Sequence, residues 1–223
     1  MDPFQYATPL LAGARVTIEL TLYSTVFGAL FSFLFGIGRL SSLRLCRWIS
    51  IALIEIFRGT SLLVQLFWLF FALPVLGQAL GIDLRLPPVV AGTLALSLNI
   101  GAYGAEVVRG AIQAVPHNQH EAAKALDFTP RQTLWRIAIP QAVPEMMPSF
   151  SNLAIQNLKD TALVSLIGLG DLAFQAERIR NFTQDSTTIY TTLLLMYFGM
   201  ALVITLLMRL LEKHASRWRA RRS

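Results

Sequence analysis

The chain has 223 residues, of which 54% are hydrophobic and only 14% are charged. A soluble domain carries roughly 25% charged residues, so the composition excludes an ordinary soluble domain and predicts an all-α membrane protein in a lipid bilayer. The formal net charge of +6 is concentrated near the C-terminus, where a basic tail after an apolar segment is typical of membrane topology. We therefore expect no nucleic-acid partner. The single cysteine, Cys46, excludes an internal disulfide, and we expect no metal site.

Five segments are apolar and long enough to cross the hydrocarbon core, which takes about 20 helical residues. They cover residues 16–40, 48–73, 87–108, 141–169 and 187–211. We expect residues 1–223 to form a single transmembrane domain, with these five segments as its spans.

The first and third spans each carry a stripe of small residues with a four-residue spacing. These stripes are Gly28, Ser32 and Gly36 in the first span, and Thr93, Ser97, Gly101 and Ala105 in the third. Small side chains let two helices approach closely within a membrane. The pattern predicts close helix packing along both stripes.

The second and fourth spans contain proline and polar residues. The second span has Glu55 and Arg58 in its first half and is expected to end at Pro74. The fourth contains Pro144 and Pro148, followed by several polar residues. Such residues are tolerated at membrane depth where protein or a water-filled cavity surrounds them, so we expect the fourth span to be buried, broken, or both.

The segment 115–140 is polar and lies between the third and fourth spans. Its first part, from Glu121 to Leu126, consists of good helix formers. Thr129 is a suitable N-cap for a second helix, and Pro130 suits the first helical position. Pro140 is expected to end that helix. The sequence thus predicts a helix–turn–helix hairpin that rests on the membrane domain.

The loop charges predict the orientation, because cytoplasmic loops are enriched in Lys and Arg. No basic residue precedes Arg15, three lie in 39–47, one in 77–88, four in 109–140, two in 170–186 and six from Arg209 onward. The alternation predicts a periplasmic N-terminus and a cytoplasmic C-terminus. The hairpin 115–140 then faces the cytoplasm.

The hairpin resembles the "EAA" loop of permease subunits from binding-protein-dependent ABC importers. The matching positions are Glu121, Ala122, Ala123, Asp127, Ile137, Ile139 and Pro140. The chain differs from the family pattern at Asp127, where the family has Gly, and at Ile139, where it has Leu. Because Asp is among the few non-glycine residues that adopt left-handed backbone angles, we expect the turn to form.

Three further segments resemble the same family, in its polar amino-acid subfamily of histidine, arginine, glutamine and opine permeases. They read RGTSLLVQ at 58–65, SLN to RGAI across 97–112, and LKDTALVS at 158–165. The resemblance implies the type I ABC importer fold and a permease subunit for a polar amino acid or a similar small zwitterion, such as an opine or ectoine.

The same resemblance implies the partners. A second permease subunit, identical or homologous, would complete the pathway in the bacterial inner membrane. A periplasmic solute-binding protein would deliver the substrate to it. Glu121, Ala122, Ala123, Asp127, Ile137 and Pro140 would couple the chain to a cytoplasmic ATPase. The chain contains no phosphate-binding G-x-x-x-x-G-K-[ST] motif. We therefore expect this chain to be a transport subunit without enzyme activity or bound cofactor. ATP and Mg²⁺ are expected to bind to the partner ATPase subunit.

Candidate pathway residues come from polar groups within the spans. They are Asn99, Tyr103, Gln156, Lys159 and Asp160. Ionisable residues at membrane depth indicate function by default, but Lys159 and Asp160 could instead stabilise a helix break. Asn99 could line a cavity or form a hydrogen bond between helices.

Two other protein classes fit the composition less well. A secondary transporter of small polar solutes driven by an ion gradient predicts inverted repeats with paired broken helices, and only one span reads as broken. An intramembrane enzyme requires a nucleophile with its base or a metal cluster at membrane depth, and no histidine lies within a predicted span.

Overall fold

The computed structural model describes residues 6–220, and the side chains of residues 6–214. This part of the chain forms eight helices and their connections, so the predicted all-α class is confirmed. The helices are α1 (Ala7–Arg39), α2 (Arg44–Gly59), α3 (Leu62–Ala79), α4 (Pro88–Gln113), α5 (His117–Ala125), α6 (130–160), α7 (Leu172–Thr183) and α8 (Ser186–Ala220). A short 3₁₀ turn, Thr161–Ile167, follows α6.

Helices α1 and α4 form the most extensive contact of the bundle. A Cβ added at Gly36 would lie 2.9 Å from the Ala105 carbonyl oxygen, and one at Gly101 would lie 2.6 Å from the Phe31 Cβ. Gly104 packs in the same way against Ser32. The close packing predicted from the two small-residue stripes is therefore confirmed.

Four helices in the described part of the chain are long and apolar enough to cross a membrane. They are Ala7–Arg39, Leu62–Ala79, Pro88–Gln113 and Ser186–His214. The first begins nine residues before the predicted start at residue 16. The last continues as helix beyond the predicted end at residue 211.

The second predicted span, 48–73, is not a single helix. It is divided at Thr60 and Ser61, whose extended backbone separates α2 from α3. Pro74 does not end α3, because a π-helical turn at Trp68–Ala72 precedes it and the helix continues to Ala79. A π turn shifts the hydrogen-bond register by one residue, so the missing proline N–H is accommodated within the helix.

Pro140 also lies within a continuous helix, contrary to the prediction that it ends one. Helix α6 begins with Pro130–Thr133, passes through a π turn at Leu134–Ala138 and continues as Ile139–Asp160. The Ile139 N–H bonds to the Leu134 carbonyl, five residues back. The second arm of the hairpin and the fourth predicted span are therefore one helix.

The fourth predicted span, 141–169, changes form at Asp160, as its composition predicted. Pro144 and Pro148 are accommodated inside α6, which then tightens into the 3₁₀ turn Thr161–Ile167. The left-handed Gly168 ends this turn. Helix α6 contacts α1, α4 and α8, and of its polar residues beyond the hairpin Asn157 is fully buried, whereas Asn152, Gln156 and Lys159 are exposed.

Each end of the bundle has its own apolar core. At one end, Leu10 at the start of α1 packs with Leu172 and Ile179 of α7. At the opposite end, Val108 and Ile112 of α4 pack with the first turns of α6. These clusters hold α7 against the beginning of α1, and the hairpin against the end of α4.

Asp171 caps α7 at the first of these ends. Its carboxylate accepts hydrogen bonds from the Ala173 and Phe174 N–H groups, at 3.3 and 3.1 Å. Burial raises the pKa of Asp171 to about 6. The Leu172 N–H donates to the Thr17 hydroxyl at 3.1 Å, so the start of α7 is joined to α1 by polar as well as apolar contacts.

We expect Gly36→Ala to destabilise the bundle by about 1–3 kcal/mol, because the added methyl meets backbone across the α1–α4 contact. Gly199→Ala in α8 is the matched control, since a Cβ there has no neighbour within 4 Å among the described residues. Thermal unfolding of both variants in detergent measures the difference. Equal melting temperatures for the two variants would contradict the tight packing.

Candidate functional site

The hairpin formed by α5 and the first turns of α6 carries all the residues predicted to contact an ATPase. Glu121 and Ala122 are exposed on α5, whereas Ala123 is 1% exposed. Ile137 is half-buried and Pro140 is exposed, both at or beside the π turn of α6. The hairpin thus presents charged groups, including Glu121 and Asp127, together with small or apolar groups on its free surface.

Asp127 adopts the left-handed backbone conformation that the sequence predicted, with φ of 55°. The Asp127 N–H bonds to the Lys124 carbonyl, and the Phe128 N–H bonds to the Ala123 carbonyl, both at 3.0 Å. These two bonds form a Schellman motif, in which the left-handed position is usually glycine. The turn therefore closes normally with an aspartate in the glycine position.

Thr129 and Gln132 start the second arm of the hairpin with a capping box. The Thr129 hydroxyl accepts from the Gln132 N–H at 3.3 Å, and the Gln132 side chain accepts from the Thr129 N–H at 2.9 Å. Arg136 lies 6.0 Å from the centre of the Phe128 ring. Local hydrogen bonds thus fix both sides of the turn, as the predicted N-cap indicated.

A charge network links the base of the hairpin to α1. Glu106 of α4 pairs with Arg39 at the end of α1 and with Arg109 one turn further along α4, at 2.8 Å. Arg109 also donates to Gln113 at 2.5 Å, four residues before α5. The Glu106–Arg109 pair has the i,i+3 spacing of a helical ion pair, but the sequence does not indicate Arg39, because that partner lies 67 residues away.

Asn99 joins α4 to the break between α2 and α3. Its amide donates to the Phe57 carbonyl and to the Gln65 side chain, both at 3.3 Å. Gln65 in turn donates to Phe57 and to Thr60. Asn99 and Gln65 are both buried, so this network satisfies backbone groups that the helix break would leave unpaired. Gln65 was missed as a site residue, although it is the one polar side chain in an apolar run.

Tyr103 lies one turn beyond Asn99 and is 42% exposed. The guanidinium of Arg58 lies over its ring, 5.5 Å from the ring centre. A partly exposed cation beside an aromatic ring can hold a carboxylate or contact a planar group.

The other predicted pathway residues lie at the end of α6. Gln156 donates to the Asp160 carboxylate at 2.9 Å, and Lys159 is exposed beside them. Asn157, also in this turn, is fully buried and donates to Ser24 and Thr25 of α1 at 2.7 and 2.9 Å. Asn157 therefore joins helices, while Gln156 and Lys159 remain accessible.

No group of three or more His, Cys, Asp or Glu residues that could hold a metal ion occurs among residues 6–214, whose side chains the structure describes.

Residues 14–217 match the family described as "Binding-protein-dependent transport system inner membrane component". The chain belongs to this family, and the family membership indicated by its four motifs is confirmed. The chain is accordingly a permease subunit of a multi-pass membrane transport system.

Relatives of similar length are also described as transport permeases. A probable amino-acid ABC transporter permease protein, y4tF, of Sinorhizobium fredii is 67% identical and covers 100% of this chain and 93% of its own length. The L-cystine transport system permease protein TcyB of Bacillus subtilis is 34% identical, over 96% of this chain and 89% of its own. The glutamine transport system permease protein GlnP of Escherichia coli is 30% identical, with 93% of each covered.

Solved structures show the same fold. A crystal structure of an amino acid ABC transporter with histidines superposes with a TM-score of 0.84 at 33% identity, covering 95% of this chain and 96% of the other. The inward-facing MetNI methionine ABC transporter superposes with a TM-score of 0.78 at 19% identity, covering 96% and 99%. The chain therefore has the type I ABC importer permease fold.

We expect Asp127→Gly to leave the hairpin intact or stabilise it by about 1 kcal/mol, because glycine adopts a positive φ without steric cost. Asp127→Val is the matched unfavourable change, since a β-branched residue is strained there by about 1–3 kcal/mol. Hydrogen exchange of the backbone N–H groups of residues 124–129 measures both effects. Faster exchange in the glycine variant than in the valine variant would contradict the role assigned to this turn.

Proposed function

We propose that the chain is the permease subunit of an ATP-driven uptake system for a polar amino acid or a similar small zwitterion, such as an opine or ectoine, in the bacterial inner membrane. The observation that carries this proposal is the continuous helix 130–160. It connects the exposed hairpin at one end with Gln156 and Asp160 at the other, so movement of the hairpin is transmitted into the bundle.

The hairpin is proposed to dock on a separate ATPase subunit that binds ATP and Mg²⁺. Its free surface combines the charged Glu121 with two large exposed apolar side chains, Leu126 (69% exposed) and Trp135 (54% exposed). Apolar anchors with a charged rim are typical of protein interfaces. The ion pairs of Glu106 with Arg39 and Arg109 would couple movement of the docked hairpin to α1.

We expect Glu121→Lys to abolish substrate-stimulated ATP hydrolysis by the reconstituted transporter, because it reverses an exposed charge on the proposed docking surface. Glu19→Lys is the matched control, since Glu19 pairs only locally with Arg15, at 2.7 Å, near the opposite end of α1. Co-elution of the ATPase subunit and its turnover are measured together. Unchanged turnover in the Glu121 variant would refute the docking role.

The proposed topology has five crossings: α1, α3, α4, α6 and α8, with a periplasmic N-terminus and a cytoplasmic C-terminus. Helix α6 serves as the fourth crossing although it is less apolar, because it packs against α1, α4 and α8 and its exposed polar groups are proposed to line the pathway, where polar residues are tolerated at membrane depth. Arg39, at the end of α1, pairs with Glu106 near the hairpin, which supports placing both on the same side. Helix α7 then lies on the periplasmic side, beside the beginning of α1.

Cys46 provides a direct test of this orientation, because it is the only cysteine in the sequence and is exposed in α2. We expect a membrane-impermeant maleimide to label Cys46 in inside-out vesicles and not in right-side-out vesicles. Cys46→Ser is the background control. Labelling from the outside only would reverse the proposed topology.

The substrate class rests on the relatives and on the accessible polar groups. The relatives named above are an amino-acid, a cystine and a glutamine permease. A zwitterion needs one cationic and one anionic contact, and Arg58 near Tyr103 and Asp160 near Gln156 can supply them. Asn99 and Lys159 complete the proposed pathway. A second permease, identical or homologous, and a periplasmic solute-binding protein complete the system.

We expect Asp160→Asn to lower substrate uptake at least tenfold while the complex still assembles, because the amide keeps the shape but removes the anion. Uptake into proteoliposomes and subunit stoichiometry are measured on the same preparation. Asp185→Asn, an exposed change in the loop before α8, is the matched control. Uptake of the Asp160 variant at the control rate would remove Asp160 from the pathway.

A further inference from the structure

Two arginines at the start of α2 have no evident structural role. Arg44 and Arg47 are exposed in the first turn of this helix, which contains no acidic residue. Cations in a first turn oppose the helix dipole, so they are not there to stabilise α2. Neither has an ion-pair partner among the residues whose side chains are described, whereas the nearby Arg39 pairs with Glu106.

Large apolar side chains surround these two charges. Leu43, Leu45 and Trp48 are 70%, 74% and 66% exposed. The surface formed by residues 43–48 thus alternates arginine with exposed leucine and tryptophan, and we call it the basic–apolar surface. Tryptophan and arginine with this exposure are typical of the boundary between headgroups and hydrocarbon.

The packing of α2 places this surface at one end of the bundle. A Cβ added at Gly38, in the last turn of α1, would meet Ser50 and Cys46 of α2. The start of α2 is therefore level with the end of α1 and lies on the same side as the hairpin. In the orientation proposed above, this is the cytoplasmic edge of the membrane.

We propose that the basic–apolar surface binds anionic phospholipid headgroups of the cytoplasmic leaflet. Arg44 and Arg47 contact the phosphate groups, and Leu43, Leu45 and Trp48 insert beside the upper acyl chains. Basic residues next to membrane-inserted helices attract anionic lipid in this way. An acidic surface of the ATPase would complement the arginines alone and would leave the three exposed apolar side chains unexplained. The inference rests on the proposed orientation.

The test measures phosphatidylglycerol and phosphatidylcholine binding to the delipidated full chain by native mass spectrometry, and co-elution of the ATPase subunit with the same variants. We expect Arg44→Gln with Arg47→Gln to weaken phosphatidylglycerol binding about fivefold for each arginine removed, and to leave phosphatidylcholine binding unchanged. The double lysine variant, Arg44→Lys with Arg47→Lys, keeps the charge and should retain binding. Arg15→Gln with Arg85→Gln is the charge-matched control, since both arginines have acidic neighbours.

Three results would overturn the proposal. Wild-type phosphatidylglycerol binding by the double glutamine variant would show that these arginines do not hold lipid. An equal loss in the charge-matched control would show only a general effect of net charge. Loss of the co-eluting ATPase with unchanged lipid binding would identify the surface as a protein contact. Cys46 labelling tests the orientation separately, so a failed lipid assay leaves that result and the transport proposal standing.

Discussion

The close contact between α1 and α4 is the constraint on which the rest of the bundle depends. Within a lipid bilayer, helices gain little from burying apolar side chains, and association depends on van der Waals contact at short range. Gly36 and Gly101 permit that contact, because any side chain there would meet the opposing helix within 3 Å. With α1 and α4 fixed together, Glu106 reaches Arg39, and Asn99 faces the break between α2 and α3. The hydrogen bonds and ion pairs between helices therefore depend on the close packing of α1 against α4.

Buried amide side chains connect helices of the bundle by hydrogen bonds, because burial of apolar side chains contributes little to helix association in lipid. Asn99 and Gln65 satisfy backbone groups at the break between α2 and α3, and Asn157 ties the end of α6 to α1. The first network lies where the break between α2 and α3 leaves carbonyl groups unpaired at membrane depth, whereas Asn157, in the last turn of α6, donates to hydroxyl groups of α1. The accessible polar groups, Tyr103, Gln156 and Lys159, lie close to these amides in sequence. Buried joining residues and accessible polar residues are thus neighbours within the same helix turns.

The two π turns explain how a proline-rich chain forms long helices. Each lies just before a proline, at Trp68–Ala72 and at Leu134–Ala138, and each allows the helix to pass the residue that lacks an N–H. The second turn has the greater consequence, because it makes the hairpin continuous with the helix that carries Asp160. A helix ending at Pro140 would separate the two by a flexible joint, and motion at the hairpin would be lost there.

The sequence by itself determined the all-α membrane class, the family, the packing stripes and the hairpin turn. These depend on local composition and on short motifs, such as the Thr129 cap and the left-handed position at Asp127. The tertiary structure decided the features that depend on distant partners or on hydrogen-bond register. The 48–73 segment is divided because Gln65 and Asn99 can pair its free backbone groups across two helices. Pro140 lies within a helix because the preceding π turn shifts the backbone hydrogen-bond register by one residue. Such a shift has no signature in the sequence. Arg39 joins the Glu106 pair because folding brings together residues that are far apart in the chain.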